Sequence, residues 1–233
     1  VFRAFTAVSV NQAAPSPASA RGPAKWPGLT SVFTGLPAAA GELYFMHYKQ
    51  GGRQMHIERK LPLVEEILDS FSGVIGADLP AYRNHVYRVI NLCLSLGSFG
   101  ETEKEKIQVA ACFHDIGIWT AGTLDYLSPS EADAAAYLNA RGKALWIAEV
   151  SEMIEMHHSI RSHAGSPYPL VEPFRRADIA DFSLGMVPMG ISRELIATLK
   201  VAFPNSGFHK RLAQLGSKWF LRHPLNPLPM FRR

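Results

Sequence analysis

From Leu61 onward the apolar residues of this chain recur three and four apart, and at several points the stripe they define is filled by histidine or aspartate. Tyr82, His85, Val89, Cys93 and Leu96 form one such stripe, after Pro80 at a helix start and before Gly97 at its end. The run Val109 to Phe113 is apolar and closes on His114 and Asp115 before Gly117. Trp146, Val150, Met153 and His157 form a third series, with Ile147, Ile154 and His158 beside it. Phe174, Asp178, Asp181 and Phe182 form a fourth. Ionised carboxylates on a buried face are unfavourable unless something compensates them. One compensation serves all four segments: a divalent cation of the zinc, manganese, iron or cobalt kind, which accepts neutral imidazole nitrogen and carboxylate oxygen together. Taken singly, each residue also has a plainer use. A lone histidine on an apolar face can be a hydrogen-bonded core residue, and a His-Asp pair at a helix end can be capping and solvated charge.

A chain of 233 residues with 47% hydrophobic content can fill a real core, and no apolar run approaches the roughly 20 residues needed to span a bilayer. No membrane partner is therefore expected. Cys93 and Cys112 have no C-x-x-C spacing, so neither a disulfide scaffold nor a thiolate zinc site is expected, and a reducing, cytoplasmic setting is. The net charge of +4 is a mild excess without a dense Lys/Arg block, which makes no convincing nucleic-acid surface. Residues 1–41 carry Arg3, Arg21 and Lys25, no acid, and much Ala, Ser, Pro and Gly. They read as part of a disordered extension over 1–45, with organelle targeting the weaker alternative. Residues 46–233 read as one all-α domain. Within it, Ser128-Pro129-Ser130-Glu131 reads as a capping box starting a helix through Ala132 to about Ala140. Two further helices are expected in ISRELIATLKVAF and SGFHKRLAQLGSKWFL, no strand is expected anywhere, and His47 and His56 read as surface residues.

The order His85, then His114-Asp115, then Ala177-Asp178, all on helical segments, resembles the HD-domain superfamily of metal-dependent phosphohydrolases. FHDIGIW looks like the family's HD helix terminus and FRRADIAD like its distal segment. The resemblance spans roughly residues 80 to 185. It implies a helical bundle in which His85, His114, Asp115 and Asp178 bind a divalent metal (Mn, Fe, Zn, Co, Ni or Mg). His157-His158 resembles the paired histidines that serve a second metal or the substrate phosphate in some members. Two-metal members carry a further histidine between the HD pair and that segment. Here the interval has none, and Ser130 or Glu131 stands in its place, so one ion per chain is expected, with two less expected but still open.

The chemistry this implies is hydrolysis of a small phosphorylated molecule or nucleotide by a metal-activated water. Asp115 would hold the metal and position the water, and a protonated His157 or His158 would act on the leaving oxygen. Arg161, Arg175, Arg176 and Lys210 are the candidates for holding phosphate. Asp181, one turn after Asp178, could orient a ligand histidine or merely form a helix-face salt bridge. A hydratase or iron oxygenase on the same scaffold, or a non-catalytic metal-binding regulatory module, are the alternatives. Oligomeric state is not legible.

Overall fold

The structure is a computed structural model that describes residues 47–50, 53–226 and 228–231, all within one unit, Gly41–Arg233. The extension expected over 1–45 and the side chain of His47 lie outside the described residues. The described chain opens on a two-stranded antiparallel hairpin, β1 His47–Gln50 and β2 Arg53–His56, in register His47 to His56. No strand is expected here from sequence: the segment has too few alternating apolar residues to announce one. His56 is exposed, as expected.

Among the described residues, every regular element after the hairpin is helical. The helices are α1 Pro62–Ser70, α2 Ser72–Ile75, α3 Leu79–Leu94, α4 Glu101–Phe113, α5 Gly117–Thr120, α6 Leu127–Ala140, α7 Ile147–Met156, α8 Val171–Phe182, α9 Arg193–Ala202 and α10 Phe208–Arg222. α3 is the central element. It is buried almost all round, from Ala81 to Cys93, and packs against α4, α8, α9 and α10. Several of its buried polar residues find partners in other elements. Asn91 exchanges hydrogen bonds with the backbone of Glu58, at 2.8 and 3.0 Å, and Tyr87 accepts from the Leu61 amide and donates to Glu65. These bonds anchor the segment that leads from the hairpin into α1.

Two local features decide where the polar residues of the core meet. α4 ends at Phe113, so His114 and Asp115 stand at its C-terminal turn. The chain then reverses through Gly117, whose amide donates to the Ser130 hydroxyl at 3.0 Å. A Cβ on Gly117 would lie 2.5 Å from the Tyr126 carbonyl, so only glycine fits. That bond also corrects the expected capping box. α6 begins at Leu127, two residues before the expected first helical position Pro129, and Ser130 is inside the helix with its hydroxyl turned to the HD turn. Pro129 sits in the first turn, where its missing amide loses nothing.

Candidate metal centre

His85 and His114 come from the facing sides of α3 and α4, and their Nε2 atoms are 2.9 Å apart with both rings buried. His114 Nδ1 donates to the Ala111 carbonyl at 2.8 Å. His85 Nδ1 donates to an Asp181 carboxylate oxygen at 2.7 Å. With both Nδ1 atoms acting as donors, two neutral rings would point lone pairs at one another. Asp115 Oδ2 lies 3.6 Å from His85 Nε2 and 3.5 Å from His114 Nε2, and Asp178 Oδ1 lies 3.5 Å from each. Four acceptor atoms thus converge without a donor between them, which is unfavourable unless a cation sits there. Ligands held about 2.0–2.2 Å from a common cation stand about 3 Å or slightly more from one another, so the donor set fits a zinc-like or manganese-like ion. Without an ion a proton takes over part of that role. Burial lowers the pKa of His114, but the charges of Asp115 and Asp178 and a hydrogen bond to Asp178 outweigh it and raise it to about 9.

The other oxygens of the two carboxylates face a second group. Asp115 Oδ1 lies 3.6 Å from His157 Nε2, and Asp178 Oδ2 lies 3.8 Å from His158 Nδ1. His157 stands at the C-terminus of α7, where its Nδ1 donates to the Ile154 carbonyl, so its Nε2 also carries a lone pair. Asp115 Oδ1, Asp178 Oδ2 and His157 Nε2 are all buried without a hydrogen-bond partner. Asp115, His157 and His158 form a second group of metal-donor geometry, which shares Asp115 with the group of His85, His114 and Asp115. The missing histidine before His157 therefore does not by itself limit the site to one ion.

Burial opposes the charge of Asp115 and Asp178, yet the surrounding imidazoles hold both carboxyl groups below their usual range. His158 is displaced the other way, to about 3, first by burial and then by its neighbour His157. It is a neutral ring, which does not suit the proton-donor role expected of it. His158 Nε2 is hydrogen-bonded at 2.5 Å to the hydroxyl of Tyr126, a phenol that burial and Asp115 keep protonated.

The support for His85 runs deeper. Phe208 stacks on its ring at 4.4 Å between centroids. Asp181 also receives a bidentate pair from buried Arg88, Nε at 2.6 Å and Nη2 at 2.9 Å, while Arg88 Nη1 donates to the Phe203 carbonyl. The line Arg88–Asp181–His85 fixes which nitrogen of His85 faces the centre. Asp181 thus orients His85, the use its spacing had suggested.

The structure does not bring the four expected phosphate-binding cations to this centre. The Arg175 guanidinium is buried, paired with both oxygens of Glu172 and donating to the Ser159 carbonyl. Arg176 donates to the Met189 carbonyl at 2.8 Å. Arg161 and Lys210 are exposed. None of the four lines the cavity of about 480 Å³ that opens onto His85, Asp115, His158 and Asp178. Arginine on an amphipathic helix cannot be sorted from sequence into substrate-binding and internally paired, because the pairing partner lies elsewhere in the chain. Sequence reasoning missed Arg88, Tyr126 and His209, which also lines the cavity. None of the three carried a local signal: α3 also holds Arg83, Asn84 and Asn91, so Arg88 does not stand out on it.

Residues 82–195 match the HD domain family, and the five residues of the two donor groups, together with Asp178, lie within the match. Together, match and cluster are consistent with the HD metal-dependent phosphohydrolase superfamily and support a metal-dependent hydrolase. No curated protein and no solved structure matches the chain. No described helix is long and apolar enough to cross a membrane.

Proposed function

We propose that this HD domain hydrolyses a phosphoester of a small molecule, using one divalent ion held by His85, His114, Asp115 and Asp178. The observation that carries the reading is the convergence of two imidazole lone pairs and two carboxylate oxygens within 2.9–3.6 Å of one another in the core. When bound, the ion lowers the pKa of a water towards about 7 and polarises a phosphoryl oxygen. Asp181, itself held by Arg88, keeps His85 Nε2 aimed at the centre. Asp115 Oδ1, Asp178 Oδ2 and His157 Nε2 are acceptors with free lone pairs on one side of it. They orient the attacking water and take its proton. Tyr126, protonated and bonded to His158, is the hydroxyl best placed to steady the leaving oxygen. His158 acts through this bond as a neutral ring.

The cytoplasmic setting goes with this reading, since Cys93 and Cys112 are buried free thiols. The test is elemental analysis of protein purified without chelator, with phosphatase and phosphodiesterase assays in added Mn, Co, Ni, Mg or Zn. About one ion per chain and metal-dependent phosphate release, both lost in Asp115→Ala, are expected. Two ions at full occupancy would move His157 and His158 into the ligand set. Metal-free protein with no activity under any of these ions would refute the reading.

A further inference from the structure

The donor groups lie inside the HD match, but much of the cavity in front of them is built outside it, by α10 and the segment 228–230. That wall is apolar. Ile118, Leu124, Phe182, Phe208, Leu212 and Met230 line the cavity, with Leu212 and Met230 packed against Ile118 and its neighbours. Among the described residues no lysine or arginine lines the cavity, and its carboxylates are Asp115 and Asp178. A divalent ion would bring the charge of this centre to about zero, because the Arg88–Asp181 pair already cancels. Nucleotide polyphosphates need several fixed cations beside the metal, and the cavity offers them none. A volume of about 480 Å³ lies in the range of small-molecule sites, whose apolar walls are filled by apolar ligand groups.

We infer that the substrate is a monoester whose organic group is an uncharged hydrocarbon body, held against α10 and the 228–230 segment, and that nucleotides are not substrates. The inference rests on the hydrolase reading above for the reacting end of the molecule and on the cavity wall for the rest. Gly216 and Leu228 border both this cavity and the adjoining surface groove of Phe220 and Leu221, so they form its mouth. A Cβ at Gly216 would meet nothing within 4 Å. A larger side chain there would thus narrow the mouth without disturbing packing.

The experiment uses the full chain loaded with Mn or Zn and two series of probes. Straight-chain hydroxamates from acetyl to hexanoyl are titrated calorimetrically, because the hydroxamate end seeks the metal whatever the reaction is. Burial of each methylene tightens binding about fourfold, so a gain of about 200-fold across the four added methylenes is expected. Gly216→Leu should keep the metal content and thermal stability of the parent, keep acetohydroxamate affinity, and lose most of the gain for the longer chains. In parallel, kcat/KM is compared for hexyl phosphate and for adenosine mono- and triphosphate, and hexyl phosphate should lead by at least tenfold. A chain-length series that is flat, or that does not bind at all, overturns the inference, as does a preference for either nucleotide. A steep hydroxamate series with no phosphate release from any ester supports the apolar ligand and rejects the phosphoester chemistry, so the two failures are separable.

Discussion

Asp181→Asn is the perturbation whose size the structure specifies most fully. The Asp181 carboxylate accepts from Arg88 Nε at 2.6 Å, from Arg88 Nη2 at 2.9 Å and from His85 Nδ1 at 2.7 Å, and all three side chains are at most 4% exposed. Burial opposes its charge, but the hydrogen bonds and charges of His85 and Arg88 win and keep it ionised. Asparagine removes the counter-charge of Arg88 and turns an amide donor towards N–H groups that need acceptors. Arg88 then keeps the Phe203 and Pro204 carbonyls and at most the one neutral amide oxygen of the new side chain, which His85 also needs. Breaking a buried ion pair on one side destabilises by about 3–5 kcal/mol. In a domain of this size that is a fall of about 6–20 °C in Tm. The same change frees the His85 ring, and loss of such a support weakens metal binding about 10–100-fold. Thermal unfolding of the metal-free chain and a competition titration with a metal indicator read the two effects separately. The double variant Arg88→Met with Asp181→Asn removes the stranded charge as well and should recover part of the stability but not the metal affinity. Asp181→Asn with Tm within about 2 °C of the parent and metal affinity within twofold would refute the reasoning.

Asp115→Ala should strip the metal, whereas His158→Ala should keep it and lower the hydrolysis rate by about 10²-fold, as elemental analysis and steady-state kinetics will report. Equal metal loss in both would put His158 among the ligands. Gly117→Ala forces a methyl to 2.5 Å from the Tyr126 carbonyl and 3.0 Å from the Ser130 hydroxyl, and a loss of about 1–3 kcal/mol in chemical denaturation is expected. Metal binding should depend on pH through His114. Its pKa in the metal-free protein is raised to about 9, so below that pH the ion must displace a proton. Affinity should therefore climb by up to tenfold per pH unit from 7 towards 9 and level off above, and a flat competition titration over that range would contradict it.

Helical periodicity alone made His85, His114-Asp115, His157 and Asp178 visible, because a stripe of apolar residues names the face of a helix that will be buried. A polar residue on that face must then meet a partner. The ends of the helices were legible for a similar local reason where glycine or proline marks them, as at Pro62 and Pro80. Periodicity does not say what a buried face will meet. Arg88 on α3 finds its carboxylate on α8, so nothing local distinguishes it from a solvated arginine, just as nothing local ties Arg175 to its buried pairing with Glu172 and Ser159. The early start of α6 follows from a bond between Ser130 and Gly117, a contact across a chain reversal that outweighs the local capping pattern. The hairpin escaped for the opposite reason: its strands are held by backbone pairing, which carries little side-chain signal. The cavity is the extreme case. Much of its wall is made of α10 and residues 228–230. Nothing in the pattern of an amphipathic helix says whether its apolar face fills the space before another element or leaves it open; only the packing of that helix decides it.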